Sequence, residues 1–536
     1  MHYCFILLLV TSPIMGFAQS GFSQKEQTYF AQATANGQAA NEAFRHSHRY
    51  LLGWLTKADS ATGLIPRNLT QNTCIWNAYD AAADNYPFMV MTSAILDKPL
   101  FETKMRTMLA TETRLSSRIG RLPDTYSFCT KTFQNQVIDT SQVVFGSAEY
   151  MKDGLIPLTE WLGPSAWSER MLGILEDLDK IVDVPTQIKG SFFGNSAVVE
   201  VSGDLLQVLA RMYWMTGNPK WLKWGVQIGD YFLSDAHLPT KASSRLRLRD
   251  HGCEIVSGLV EMYAVVAAKD PAKKQQWQPY IHEMLNTILA KGRNEHGLFY
   301  DEINPQTGEI VQKRIADNFG YTLNAFYTVY LIDHVGAYRE AVLKTLGALS
   351  AHYRNHDWEN GSADGYADAI EGTLNLYLRE PLPSAKDWIE SEIKVLWSFQ
   401  KPDGIIEGWH GDGNFARTSL MYALWKTAGI TVSDWQSDLS YGAVVDDKTL
   451  YLTLSTSKTW KGQLHFGKKW HQEYLKMPVD YPRINQFQEW YPIEPLANYQ
   501  LTVGNKSKTV SGEELLKGYS LEILPQKTVQ LKLKRL

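Results

Sequence analysis

The stretch RLRLRDHGCEIVSGLVEMYAVVA, residues 245–267, changes character at Glu254. Before it, Arg249, Asp250, His251 and Cys253 crowd ionisable side chains together; after it, Ile255, Leu259, Met262, Tyr263 and Val266 recur at steps of three and four. That spacing predicts a helix burying one face, with its polar residues on the first turn. A helix start offers unpaired N–H groups and the positive end of the helix dipole, which favour carboxylates and anionic ligands. Taken alone, Asp250 reads equally well as a cap and Glu254 as part of an ordinary first turn.

Recurrence separates the two readings. The same polar-then-apolar pattern appears in WNAYDAAADNYPFMVMTSAIL (76–96), more weakly in 145–163, and again in 192–217, 314–332, 361–378 and 409–425. Starts spaced roughly fifty to seventy residues apart signal a repeated helical unit. Between the copies the sequence predicts more amphipathic helices, at 164–182, 219–235, 274–292 and 383–400. Gly217, just past one helix end, and Pro219, just inside the next start, punctuate them as helix termini should. Apolar helices alternating with amphipathic ones suit two concentric layers better than a solenoid of stacked pairs. The expected fold is therefore mainly α, an (α/α)6 or (α/α)7 toroid; the pattern counts seven pairs, with six as the alternative. After Thr431 the text turns to alternating apolar and polar residues, as in TLYLTLST (449–456) and TVQLKLK (528–534). This predicts a small C-terminal antiparallel β domain, sandwich-like, over 437–536, following a helical catalytic domain of 19–436.

Residues 1–18 read as a signal peptide, with an apolar run over 5–10 and a cut after Ala18. That run is too short to span a bilayer, and no later stretch is apolar for long enough. The mature chain is expected to be exported, periplasmic or extracellular. Cys74, Cys129 and Cys253 then remain, allowing one disulfide at most and leaving at least one free thiol. No C-x-x-C occurs, and neither a metal nor a cofactor is expected. A net charge of −4 with no basic stripe argues against nucleic acid.

If the inner helices all run the same way around a ring, their polar starts converge on one end of its cavity. Cleaving a glycosidic bond there needs one protonated carboxyl and one ionised carboxylate, and crowding carboxyls in a partly buried cavity raises the pKa of the acid. Glu254, with Asp317 or Asp364 as its partner, is the expected catalytic set. Asp84, Asn85, Tyr86, Arg249, His251, Asn318, Trp409, His410 and Arg417 are expected to bind substrate. Of these, His251, His410 and Asn318 would bond sugar hydroxyls, Tyr86 and Trp409, together with Trp76, would stack on a ring, and Arg249 and Arg417 would hold a carboxylate. The competing role for the two arginines is a salt bridge to Asp250 or Asp412.

The alternating helices, the motifs WNAYDAAADNYPFMV, RDHGCEIVSGL, SADGYADAIEG and WHGDGNFAR, and the trailing β region resemble the six-hairpin glycosidase superfamily, most closely glycoside hydrolase family 154. The resemblance runs from about Phe44 to the end. It implies an exported β-glucuronidase-like hydrolase whose partner is a uronic-acid-containing oligosaccharide or polysaccharide, and a count of seven pairs departs from it. It carries over no catalytic residues. Three rivals stand beside it: a polysaccharide lyase using Tyr86 or a histidine as base, an unsaturated glucuronyl hydrolase, and a non-catalytic glycan-binding protein.

Overall fold

The computed structural model describes residues 22–183, 187–188, 191–192 and 195–536; the expected signal peptide lies outside them. Fourteen helices alternate between two layers. The outer members are α1 (Gln24–Leu55), α3 (Arg106–Ser116), α5 (Ala166–Ile181), α7 (Pro219–Phe232), α9 (Pro271–Lys291), α11 (Gly336–His352) and α13 (Pro383–Ser398). The inner members are α2 (78–96), α4 (140–162), α6 (Asn195–Thr216), α8 (Glu254–Lys269), α10 (Phe319–Asp333), α12 (Ala363–Arg379) and α14 (Asn414–Lys426). Each inner helix packs on the next, and α14 packs back on α2, so seven inner helices close a ring. The seven pairs foreseen from the pattern are the ones present. The inner layer is apolar nearly all round: in α8, every residue from Glu254 to Val266 is buried, as expected of a helix enclosed on all sides.

Small residues let inner neighbours touch. Gly203 of α6 faces the Glu254–Ile255 backbone and Gly258 of α8 faces the Gly203 carbonyl, while Gly320 of α10 meets the Cα of Gly372 of α12. A Cβ at any of these would drive the two backbones apart.

After Thr431 the chain forms β1 (Ser440–Asp446), β2 (Thr449–Ser455), β3 (Trp460–His465), β4 (Asn498–Val503), β5 (Lys506–Ser511), β6 (Tyr519–Ile523) and β7 (Thr528–Arg535). A five-stranded sheet of order β1-β2-β7-β4-β5 and a three-stranded sheet of Thr431–Val432, β3 and β6 result, with antiparallel pairing throughout. The first sheet lies against α1. Strands β1 and β5, absent from the sequence reading, are the ones with the least regular alternation.

A feature with no sequence signature completes the ring. Between β3 and β4 the segment DYPRINQFQ (480–488) enters the lumen from the C-terminal ends of the inner helices, and every residue from Tyr481 to Gln488 is buried. It touches six of the seven inner helices. Arg483 pairs with Glu160 of α4 at 3.2 Å and with Asp480 at 2.9 Å. Arg211 of α6 reaches Glu160 at 3.1 Å, Glu261 of α8 at 2.8 Å and the Ile484 carbonyl at 3.4 Å. Arg379 of α12 holds Asp480 at 3.1 Å, Asn375 of α12 donates to the Arg483 carbonyl at 2.7 Å, and Ile484 packs with Cys253 and Tyr321 of α10. Asn485, described below, reaches α14. Beside Pro482 the remaining void is only about 10 Å³. Because breaking a buried ion pair strands its partner's charge, Arg483→Met is expected to cost about 3–5 kcal/mol. Denaturant unfolding checks this; a loss below about 1 kcal/mol would show that these pairs do not anchor the plug.

Candidate active site

The inner-helix starts open onto a cleft of about 580 Å³ at the end of the ring opposite the plug's entry. It is set toward one side, between the beginnings of α2, α12 and α14 and the flank of α4. Asp80 and Asp84 come from the wide-turned entry to α2, Asp364 from the first turn of α12, and Asp412 from the residues just before α14. Glu359 and Glu407 add two more carboxylates; Arg67, Lys401 and His410 supply the basic groups. Trp409, 70% exposed, stands at the rim. The Arg67 guanidinium lies between the Trp409 ring (5.2 Å) and the Tyr79 ring (5.9 Å), bracing the tryptophan with its indole open to solvent.

Local geometry explains how these residues meet. A disulfide joins Cys74 to Cys129 next to the pairing of Ile75–Trp76 with Tyr126–Ser127, fixing the strand that leads into Asn77. Asn77 caps the following turns through Ala81 N–H at 2.9 Å and donates to Asp80 at 2.5 Å. Opposite, the loop carrying Trp409 and His410 lies directly on this segment, since a Cβ on Gly413 would collide with the Asp84 carbonyl and one on Gly411 with the Asn85 amide. His410 Nε2 sits 3.7 Å from Asp84 and 3.8 Å from Asp80. On the α12 side, Glu359, Asn360 and Gly361 are three consecutive residues with positive φ, a costly conformation that tends to persist at functional sites.

Electrostatics divide the carboxyls. Burial first, then repulsion from Asp153, Asp80, Glu149 and Asp412, pushes Asp84 well above the usual carboxylate range. Burial and the neighbouring Asp368, Asp412 and Glu359 do the same to Asp364, against one donor, the Asn414 side chain at 2.8 Å. Asp412 rises only to about 6, because His410 and Arg417 offset part of its burial; it accepts the Asn414 N–H at 3.0 Å.

Of the residues picked out from sequence, Asp84, Asp364, Trp409 and His410 line this cleft. The others, His251 apart, stand elsewhere, and Trp76, expected to stack on a sugar, is buried in the core. Glu254 is 3% exposed and its carboxylate is engaged by Lys152 and by Gln207, both at 2.5 Å; burial raises its pKa despite Lys152. Asp317 and Asn318 are buried, the Asn318 amide donating to the Cys253 sulfur at 3.5 Å. Asn85 is fully buried and accepts from Tyr50 at 2.6 Å. The Tyr86 hydroxyl donates to the Met105 carbonyl at 2.9 Å and accepts from Trp167 at 2.8 Å, so it is core and cannot reach a sugar as a stacking ring or a base. Arg249 pairs with Asp301 at 3.3 Å and Glu359 at 3.4 Å, and Arg417 with Asp368 at 2.7 Å. Both arginines are thus engaged by carboxylates inside the protein, and Arg417 in addition lies close enough to Asp412 to offset part of its burial. The His251 side chain lies outside the described residues. Sequence reasoning missed Asp412 as a cleft residue and Arg67, Tyr79, Glu359 and Glu407 altogether; only Asp412, inside WHGDGNFAR, had a signal that could have found it.

No family model matches the chain, and no curated protein does. Solved structures of similar outline include a family 76 glycoside hydrolase (mannosidase) from Bacteroides thetaiotaomicron VPI-5482, 14% identical over 72% of this chain and 98% of that one, with a TM-score of 0.42. A cellobiose 2-epimerase from Bacillus thermoamylovorans is 11% identical over 52% and 87%, TM-score 0.39. A possible family 105 member from Salmonella enterica is 12% identical over 52% and 81%, TM-score 0.35.

The fit of the Gly413 loop onto Asp84 is testable. Gly413→Ala is expected to lose about 1–3 kcal/mol by overpacking, whereas Gly408→Ala, where a Cβ meets nothing within 4 Å, is expected to be neutral. Equal thermal stability of the two variants would contradict the contact.

Proposed function

We propose that the protein is a glycoside hydrolase acting on a neutral glycan in this cleft. The observation that carries the proposal is the convergence of Asp84, Asp364 and Asp412, from the starts of three different inner helices, in one open cleft beside an exposed tryptophan. Asp84 is the proton donor: neighbouring carboxylates oppose its ionisation, and it is partly open to the cleft. Asp412, whose rise His410 and Arg417 limit to about 6, is the charged partner that activates water or attacks the sugar. Asp364, held by Asn414, completes the set by accepting from sugar hydroxyls. Trp409 supplies a flat apolar face for a sugar ring.

Charge selects the substrate class. Six lining carboxylates face two lining cations, and of these Arg67 is bonded to Asp80 and Lys401 lies 3.8 Å from Glu407. Among the described residues each cation lining the cleft already has a carboxylate beside it, so the β-glucuronidase activity implied by the resemblance to family 154 is less well supported than action on neutral sugars. Export, proposed from the signal-like start, accords with the Cys74–Cys129 disulfide.

The test is incubation with neutral manno- and gluco-oligosaccharides and with uronate-bearing counterparts, released sugars being separated by chromatography. Release from the neutral set is expected; release confined to the uronate set, or new ultraviolet absorbance from an unsaturated product, would contradict the proposal. Asp84→Asn and Asp412→Asn are each expected to lower kcat by about 10²-fold or more with the fold retained. The rate should fall as pH drops through about 6, where Asp412 takes up its proton, and fall again at higher pH as Asp84 loses the proton it must donate.

A further inference from the structure

The plug that fills the lumen also reaches the back of the cleft. Asn485 is 2% exposed and holds a left-handed conformation, φ +59°, that asparagine tolerates better than most residues. Three of its polar groups bond three different inner helices: the N–H donates to Glu371 of α12 at 3.1 Å, the side-chain amide donates to Asp153 of α4 at 3.1 Å, and the side-chain oxygen accepts from Arg417 of α14 at 2.7 Å. The same Arg417 Nη1 reaches Asn414 at 2.9 Å. Asn414 in turn donates its side-chain amide to Asp364 at 2.8 Å and its backbone N–H to Asp412 at 3.0 Å. A continuous line of hydrogen bonds therefore runs from the C-terminal plug to two of the three cleft carboxylates.

We infer that Asn485, a residue of the C-terminal region, is a positioning residue of the active site, setting Arg417 so that Asn414 holds Asp364 and Asp412 in register. The inference rests on the hydrolase reading above but concerns a residue that never meets substrate. Arg417 is buried and also bonded to Asp368; without the Asn485 oxygen its guanidinium is drawn to that one carboxylate and turns away from Asn414. Asp412 is then left facing Asp84, Asp364, Asp368 and His410 with less positive charge beside it.

The test uses Asn485→Gly, which keeps the backbone donor to Glu371 and the positive φ, with Gln486→Ala as control. Gln486 is the next plug residue, bonded to Asp480 and Arg379 and away from Arg417. For Asn485→Gly, kcat is expected to fall about tenfold or more, with KM changed less than about twofold, and the low-pH limb is expected to move upward. Gln486→Ala is expected to lower stability without moving kcat or the pH profile. The crystal structure of Asn485→Gly should show Arg417 displaced and the Asn414–Asp364 bond lost. An unmoved Arg417, or unchanged kcat and pH profile in the folded variant, overturns the inference. If the wild type cleaves no glycan, the hydrolase reading fails and the crystal structure alone decides whether Asn485 positions these carboxylates.

Discussion

The structure depends on a lattice of buried ion pairs between a short C-terminal segment and the inside of a helical ring. Arg211 and Arg483 share Glu160; Arg483 and Arg379 share Asp480; Arg211 also takes Glu261. Burial works against every charge in this set, yet Arg379 and Arg483 hold the Asp480 carboxyl below its ordinary range despite that cost. Such a lattice adds little net stability compared with apolar packing, but it tolerates one arrangement only, because any misplaced member leaves a buried charge unpaired. That selectivity fixes how deep DYPRINQFQ enters and so where Asn485 stands.

The count of seven explains why a plug is needed. Helix axes spaced about 10 Å apart lie about 11–12 Å from the centre of a seven-membered ring and about 10 Å from that of a six-membered one. With a helix radius near 5 Å, side chains excluded from the wall cannot close the wider gap. A change of about 1.5 Å in radius thus becomes a lumen that another part of the chain must fill. The consequence is an unbroken connection between the β region and the cleft, which the plug closes from behind.

Much of this was legible in the sequence, and for a physical reason. The apolar periodicity of 255–266 and its counterparts reports burial on all sides, and turn residues report helix ends, so the two layers and their order followed. Asp84, Asp364, Trp409 and His410, which line the cleft, were singled out as polar or aromatic residues at the starts of apolar helices. The same logic put Glu254 and Asp317 in the site, where the structure buries them: a carboxylate at a helix start looks identical in sequence whether it faces water or Lys152. Asp412 entered the sequence reading only as the alternative salt-bridge partner of Arg417, because the two are close in sequence, whereas Arg417 bonds Asp368 on a neighbouring helix. The plug was invisible, since nine residues without periodicity or repeat declare nothing of where they lie. Four of its polar residues, Arg483, Asn485, Gln486 and Gln488, are buried, which polarity alone would not suggest.

The claim on which the account turns is that acids far apart in sequence act together on a sugar in one cleft. The crystal structure of Asp84→Asn with a bound oligosaccharide tests it most directly. The account predicts a sugar ring against the Trp409 indole, with a glycosidic oxygen beside residue 84 and hydroxyls within hydrogen-bond distance of Asp364 and Asp412. Oligosaccharide bound on another face of the protein, with this cleft holding only water, would contradict it.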